Sequence, residues 1–541
     1  MKQRFLLVIT TAASVLAGCG GDSASNLGAV DTTPARGALI QNPPLRTAFF
    51  AADELASRLA ASASGRGVLA VAGVPRCSVN VQYIQYGTVG GAGESTDASG
   101  ALMTPSGGAG CTGSRPVVLY AHGTATAKNY NLANLLDESN PAYSEAVLIA
   151  ATYAAQGFVV VAPNYAGYDS SRLSYHPFLN ADQQSKEMMD ALSAARKALP
   201  GLLQPVQDSG KLFITGYSQG GHVAMATHKA MQAAGQTVTA SAPMSGPYAL
   251  AAFGDVVFAG NVNLGSTLFT PLLINSFQKA YGNLYSSLTD IYEPSYASGI
   301  DVLLPTTIAL TSLLAPGGKL PQTALFNRTP PTAPAGSSAL LQLTLNAITP
   351  PTPPQVSPAQ AQLFALGFGT SNLINNGSRL NYLLDAIANP DGATPAVTTG
   401  APPANPVNPI RSAAKKNDLR NWTPTRPVLL CGGNGDPTVF YNVNTQVMQG
   451  FWSSPSPAAP AAGLVTVLDV DSAPVSAADP FAALKAGFSQ AKSSTAAAAI
   501  SAGAIDSGAS AVTQAYHGTL VPPFCNAAAR GFFLQALAAG L

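Results

Sequence analysis

The sequence predicts an α/β fold: a mostly parallel sheet flanked by helices and interrupted by a large, mainly helical insertion. Two observations predict it. Short apolar runs alternate with helix-compatible stretches between about residues 115 and 245, as in a sheet buried on both faces. This rhythm stops over residues 249–420, which are rich in Leu, Ala and Pro, and it returns near residue 426.

Composition excludes some partners before any motif is considered. The chain has 541 residues, of which 10% are charged, and a formal net charge of +1. It can bury a large core. Because it has no basic field, nucleic acid is excluded as a partner.

The first 18 residues predict a lipoprotein signal peptide. Lys2 and Arg4 precede an apolar stretch over residues 5–15, and Leu-Ala-Gly-Cys ends at Cys19. This ending resembles a bacterial lipobox, which implies cleavage before Cys19 and diacylation of its sulfur, with lipid attachment to the membrane. Gly20, where Asp would favour the inner membrane, favours the outer membrane of the cell envelope. Ordinary secretion is the alternative.

We predict that a flexible tether, 19–45, precedes the folded body. The body divides into a first core part, 46–248, a helical cap or lid, 249–420, and a second core part, 421–541. The second part contains an alanine- and serine-rich insertion at about 472–512.

Each element follows from a local pattern, with continuous or alternating apolar residues for strands and one apolar face for helices. The predicted strands cover residues 79–87, 115–122, 157–165, 211–217, 238–243, 426–431 and 463–469. The predicted helices cover 48–61, 147–156, 181–199, 223–234, 268–280, 306–314, 359–387 and 527–538.

The most informative motif is Gly216-Tyr-Ser218-Gln-Gly220, which lies between a predicted strand and a predicted helix. A turn this sharp strains the serine backbone, and side chains at the two glycine positions would collide with neighbouring elements. The pattern predicts that Ser218 is a nucleophile at the tip of the turn, at the start of a helix, where an acyl carbonyl can reach its hydroxyl.

A serine nucleophile needs an imidazole to accept its proton and a carboxylate to orient that imidazole. Asp436 follows a buried strand in a glycine-rich turn and is the predicted acid, with Asp469 and Asp471 as rivals. Of five histidines, His517 is the predicted base by elimination of the others. His122 ends a strand on the side of the predicted oxyanion donors. The remaining three are predicted to pack in a loop or on the helix after Ser218, and they are His176, His222 and His228.

Hydrolysis also needs two donors for the oxygen that becomes negatively charged. We predict that one is the backbone N–H of Gln219, directly after the nucleophile. The other is an N–H in the turn His122-Gly123-Thr124, with Thr124 favoured.

Four cysteines remain after Cys19, and an even number in an exported chain indicates disulfides. Three pairings are possible. We favour Cys77 with Cys111, and Cys431 with Cys525. No Cys or His spacing suggests a metal site.

From Val117 onward the chain resembles an α/β-hydrolase serine esterase, and its layout is similar to secretory lipases that carry a helical cap between nucleophile and acid. The resemblance is carried by the oxyanion turn ending at Thr124, by the Ser218 motif, and by Asp436 and His517. It implies hydrolysis of carboxylic esters with an apolar acyl group, through an acyl-enzyme and without a cofactor. Two alternatives stay open: a serine peptidase or amidase, and a catalytically silent hydrolase fold that binds a surface partner.

Overall fold

The computed structural model describes residues 34–453 and 456–541. The predicted signal peptide, the lipidation site Cys19 and most of the predicted tether lie outside the described residues.

A nine-stranded sheet forms the centre of the core, in the order β1-β2-β3-β5-β4-β6-β7-β10-β11. Strands β1 to β3 and β5 pair antiparallel, and the rest of the sheet, from β5 to β11, is parallel. Two further strands of two residues each, β8 and β9, pair with one another inside the cap. The strands are β1 Leu45–Phe50, β2 Ser78–Val89, β3 Ser95–Ser106, β4 Ser114–Ala121, β5 Val159–Pro163, β6 Gln207–Tyr217, β7 Ala240–Met244, β8 Phe326–Asn327, β9 Phe368–Gly369, β10 Val428–Gly432 and β11 Val465–Asp469.

Helices cover both faces of the sheet, as its continuously buried parallel strands require. On one face α4 packs against α5, and on the other α17 packs against α2 and α3. The helices outside the cap are α1 Ala52–Ala61, α2 Ala63–Ala72, α3 Tyr143–Thr152, α4 Ala181–Ala198, α5 Gln219–Ala233, α14 Thr445–Phe451, α15 Ala482–Ser501, α16 Ala509–Ala515 and α17 Val521–Ala538.

The segment between β7 and β10 forms the predicted helical cap, with its own apolar core. Buried charges join its helices: the guanidinium of Arg411 pairs with the carboxylates of Asp255 at 2.8 Å and Asp385 at 2.7 Å. The cap helices are α6 Leu250–Phe258, α7 Ser266–Tyr281, α8 Pro294–Ala297, α9 Leu310–Leu313, α10 Ala339–Ala347, α11 Pro358–Ala365, α12 Asn376–Ala388 and α13 Pro409–Lys416.

Two predictions near the start of the body were wrong. Residues 34–45, assigned to the tether, are partly bound to the core: Arg36 and Leu39 form backbone bridges to β2, and Arg36 pairs with Asp190 at 3.0 Å. The predicted helix over 48–61 begins only at α1, because the preceding residues pair with β2 as the edge strand β1.

Strand β3 was not predicted at all. Its residues are mostly small or polar, so they give no apolar alternation, yet the strand is hydrogen-bonded to β2 on one side and to β5 on the other. Pairing on both sides, and not the intrinsic preference of its residues, makes this segment a strand.

Both favoured disulfides are confirmed. Cys77 is bonded to Cys111, and Cys431 is bonded to Cys525, which links β10 to α17. Among the described residues no helix is long and apolar enough to cross a membrane, and no group of His, Cys, Asp or Glu could hold a metal ion.

Candidate active site

Ser218 is the single residue between β6 and α5, and it has a positive φ of 60° with ψ of −121°. A non-glycine residue in this region is strained, and such strain is typical of functional turns. A Cβ atom on Gly216 or Gly220 would collide with the carbonyl oxygen of Ala121, so β4 approaches the turn closely only because both are glycine. The predicted role of these two glycines in the turn agrees with this geometry.

The structure brings the three predicted catalytic side chains together. The Ser218 hydroxyl lies 2.8 Å from Nε2 of His517, and Nδ1 of His517 lies 2.6 Å from Oδ2 of Asp436. Both contacts are satisfied when Nδ1–H donates to Asp436 and the serine hydroxyl donates to Nε2. In this tautomer His517 is ready to take the serine proton.

Burial and backbone hydrogen bonds hold Asp436 in position to contact His517. Its side chain is only 1% exposed, and its second oxygen accepts hydrogen bonds from the backbone N–H groups of Thr438 and Val439 at 2.9 and 3.0 Å. The rival acids have other partners: Asp469 binds Asn434, and Asp471 binds Lys492 and Tyr516. Neither contacts His517 in the described part of the chain.

His517 lies in a π-helical turn, Tyr516–Leu520, directly before α17. The hydroxyl of Tyr217, the neighbour of the serine, donates to the His517 backbone oxygen at 2.6 Å and holds this turn against the nucleophile. Irregular turns of this kind occur often at functional sites.

In the described residues, no other histidine side chain forms a hydrogen bond with the Ser218 hydroxyl. His122 lies between the rings of Tyr130 and Tyr165, with centroids 4.3 and 4.0 Å away. On helix α5, His222 contacts the backbone oxygen of Asn417, and His228 contacts Ser241.

The residues of the two predicted oxyanion donors, Thr124 and Gln219, line the same cavity as Ser218. Neither backbone N–H has an acceptor among the described residues. The N–H of Gly123, the residue before Thr124, in contrast donates to Glu145 at 3.1 Å. Because that amide is occupied, the geometry favours Thr124 as the donor from this turn.

His176 has a role that the sequence did not indicate. Its Nδ1–H donates to the Ala166 oxygen at 3.0 Å, and its Nε2 then accepts from the side-chain amide of Gln219 at 2.7 Å. Burial lowers the pKa of His176 to about 3, so the ring stays neutral and can accept. His176 thereby holds the side chain of Gln219, the residue that follows the nucleophile.

A cavity of about 110 Å³ opens at Ser218 between the core and the cap. Most of its cap wall comes from α6 and α7, with further residues from α12 and α13, and no charged side chain lines it in the described structure. Most of the wall is apolar, formed by Phe178, Leu250, Phe253, Val257, Phe258, Phe269, Leu273, Ile274, Ile374 and Ile410. The size is comparable to a cavity that holds benzene, so in this conformation it fits a small apolar group.

Comparison with protein-family models gave a match to the prolyl oligopeptidase family, peptidase S9, over residues 145–260. This segment contains the nucleophile turn but less than half of the chain. A search of curated proteins found no significant match.

Solved structures match over nearly the whole chain. A ligand-bound form of the rice cell wall degrading esterase LipA from Xanthomonas oryzae matches with a TM-score of 0.60 at 23% identity, covering 93% of this chain and 99% of that chain. A mutant form of the same esterase matches with a TM-score of 0.57 at 25% identity, covering 84% and 95%. A putative hydrolase from Legionella pneumophila matches with a TM-score of 0.55 at 17% identity, covering 92% and 98%.

The sheet order, the position of the cap and the nucleophile turn define an α/β-hydrolase. The comparisons confirm this predicted fold class. Among the solved structures that share the fold, the chain is similar to the Xanthomonas oryzae esterase over most of both chains.

Proposed function

We propose that the protein is a serine esterase that hydrolyses carboxylic esters through an acyl-enzyme. One observation carries this proposal. Hydrogen bonds connect Ser218 to His517 and His517 to Asp436, and the serine end of this series lies at an apolar cavity. A strained serine with this chain of partners is the arrangement that acyl transfer requires.

In the proposed reaction His517 takes the proton of Ser218 as the serine oxygen attacks the ester carbonyl. The backbone N–H groups of Thr124 and Gln219 stabilise the oxygen that becomes negative. His517 then gives its proton to the departing alcohol, and the acyl group stays on the serine. A water molecule, activated by the same imidazole, releases the acid and restores the enzyme.

The cavity supports an ester with a small apolar acyl group. It has no charged wall residue in the described structure, and its volume of about 110 Å³ is comparable to that of a cavity that holds benzene.

Hydrolysis of p-nitrophenyl esters from acetyl to palmitoyl tests the proposal, with a protein that lacks residues 1–19. We expect the highest kcat/KM with short esters, and a fall of about 10³-fold or more in Ser218→Ala. Ser266→Ala is the matched control, because Ser266 lines the same cavity and its hydroxyl donates to the Asn263 backbone oxygen at 2.9 Å. Equal activity of Ser218→Ala and the wild type would exclude the serine mechanism.

A peptidase is the second candidate, supported by the family match over residues 145–260. The same residues would cleave an amide if the cavity accepted a peptide side chain. Peptidyl p-nitroanilides, measured beside the esters, distinguish the two: hydrolysis of anilides with no ester preference would favour the peptidase.

We further propose, from the lipobox-like sequence, that the protein is lipid-anchored at Cys19 in the bacterial outer membrane. Mass spectrometry of the mature N-terminal peptide tests this. A diacylglyceryl cysteine supports the anchor, whereas an unmodified N-terminus favours secretion.

A further inference from the structure

Residues 433–436, the acid loop, carry Asp436 on the sequence Gly-Asn-Gly-Asp, which follows β10. Two glycines in four residues give the loop little stiffness of its own. Its shape therefore depends on contacts from other segments. One contact is with Asp469, whose carboxylate accepts from the backbone and side-chain amides of Asn434 at 3.1 and 2.8 Å.

A second contact comes from Tyr516, the residue before His517. Its hydroxyl accepts a hydrogen bond from the Gly435 N–H at 3.0 Å. A Cβ atom on Gly433 would lie 2.6 Å from this hydroxyl oxygen, and one on Gly435 would lie 3.0 Å from the ring. The two glycines thus allow the close approach of Tyr516 to the loop.

The same hydroxyl donates to Oδ2 of Asp471 at 2.6 Å. Burial, reinforced by this carboxylate, raises the pKa of Tyr516, so the hydroxyl stays protonated and keeps donating. Asp471 in turn pairs through Oδ1 with Lys492 at 2.5 Å. An unbroken series of contacts therefore runs from Lys492 to the acid loop.

Lys492 lies on α15, inside the alanine- and serine-rich insertion. The insertion also packs against Tyr516. The ring of Phe488 on α15 meets the ring of Tyr516 edge to face, with centroids 5.6 Å apart. Lys492 lies over the same Phe488 ring at 5.6 Å. Helix α15 therefore reaches the residue next to the candidate base in two ways, directly through Phe488 and indirectly from Lys492 through Asp471.

We propose that Lys492, Asp471 and Tyr516 are positioning residues for Asp436, and that the insertion is thereby a working part of the active site. The inference rests on the proposed function. Tyr516 binds the loop that carries the acid and is adjacent in sequence to the base, so it fixes the distance between them. That distance matters because the carboxylate must follow the imidazole as it gains a proton, and a misplacement of about 1 Å can cost about 100-fold in rate.

The test compares Tyr516→Phe, Lys492→Met and Lys492→Arg in ester hydrolysis. We expect Tyr516→Phe to lower kcat roughly tenfold or more with little change in KM. The acidic limb of its pH profile should also move to lower pH, because a less well-placed carboxylate stabilises the imidazolium less. Lys492→Met should lower kcat about threefold, since its ion pair is partly exposed, and Lys492→Arg should restore it.

Lys485→Met is the matched control. Lys485 lies on the same helix and pairs with Asp479 at 2.8 Å, but neither residue contacts the acid loop in the described structure. We expect this variant to lose thermal stability without a change in kcat or in the pH profile. If Tyr516→Phe and Lys492→Met behave like Lys485→Met, the inference is wrong.

Two further outcomes are distinguishable. If Ser218→Ala is inactive while the Tyr516 and Lys492 variants match the wild type, this inference fails and the proposed function stands. If Ser218→Ala retains activity, the proposed function itself fails. Should Tyr516→Phe not fold, Lys492→Met decides the question, because its side chain is 31% exposed and its loss leaves the core intact.

Discussion

Glu145 illustrates how single hydrogen bonds fix the candidate oxyanion turn. Its carboxylate accepts from the hydroxyls of Tyr120 at 2.8 Å and Tyr130 at 2.7 Å, and from the Gly123 N–H. A carboxylate with three donors holds the turn in one place. The neighbouring Thr124 lines the cavity, and its amide, the proposed oxyanion donor, has no acceptor among the described residues.

Glu145→Gln should therefore reduce the stabilisation of the transition state more than the binding of the substrate. The neutral amide that replaces the carboxylate is a weaker acceptor, and its NH₂ group must donate to a tyrosine hydroxyl that now donates to Glu145, so the bonds that hold the turn weaken. We expect kcat to fall about tenfold with KM nearly unchanged, a fraction of what the loss of an oxyanion donor costs. Steady-state kinetics on a short p-nitrophenyl ester measure this.

Glu94→Gln is the control for that substitution. Glu94 also accepts from a tyrosine hydroxyl, that of Tyr175 at 2.6 Å, and from a backbone N–H, that of Ala92, but it lies in the β2–β3 turn. An equal fall in kcat in both variants would show that Glu145 acts only on general stability.

At the residue scale, the sequence predicted the three side chains that meet in the structure and missed those that hold them in place. Ser218 and His517 could be found because a strand-to-helix turn and the chain order of a triad leave local patterns. Tyr217 and Tyr516 adjoin these residues, so their position was a signal that could have been used. Glu145 and His176 have no such signal, since their contacts join segments distant in sequence.

Among the elements, the cap forms much of the cavity wall at Ser218, so in the proposed function it would select the acyl group. Helices α6 and α7 form most of its side of the cavity, and Phe269 on α7 faces Phe178 of the core with ring centroids 6.5 Å apart. Because aromatic rings form this wall, the cavity length depends on single side chains.

Phe269→Ala should shift the preference toward longer esters. Removal of the ring extends the cavity. Each further methylene of the acyl chain that is then buried there contributes to the binding free energy. We expect the ratio of kcat/KM for octanoyl to butyryl esters to rise about tenfold. Phe364→Ala is the control: Phe364 is a buried cap residue outside the cavity wall, so its loss should leave the ratio unchanged.

The elements themselves were predictable to different degrees. The parallel strands β4 to β7 were predicted because burial on both faces requires continuous apolar runs. The edge strand β1 and the small-residue strand β3 were missed, since partners distant in sequence and not local composition hold them in place. The cap was predicted as a unit from its change in composition, but its ion pairs and its contribution to the cavity depend on packing.

For the whole molecule, buried titratable groups predict how stability depends on pH. Burial lowers the pKa of His222 and His228 from 6.5 to about 4, and that of His176 to about 3. As the pH falls from 6.5 to about 4, the unfolded chain binds these protons first, so stability is lost. Glu187 acts in the opposite sense. Burial raises its pKa from 4.5 to about 8, and its contribution is lost as the pH rises across that interval.

We therefore expect the free energy of unfolding to rise from about pH 4 to a maximum near pH 6.5 and to fall toward pH 8. Each unit of pKa shift corresponds to about 1.4 kcal/mol, which makes the change measurable by urea denaturation. His222→Gln should reduce the loss on the acidic side, and Glu187→Gln should reduce the fall on the basic side. A flat profile between pH 4 and 8 in the wild type would contradict this prediction.

The bond between Cys431 and Cys525 has a consequence for the integrity of the chain. It encloses a covalent ring that contains both Asp436 and His517, together with the largely exposed alanine- and serine-rich insertion between them. A protease that cuts this insertion once opens the ring but releases no fragment, because the two pieces remain joined at β10 and α17. In an oxidising, protease-rich compartment, the acid and the base therefore stay on one molecule after a single cut.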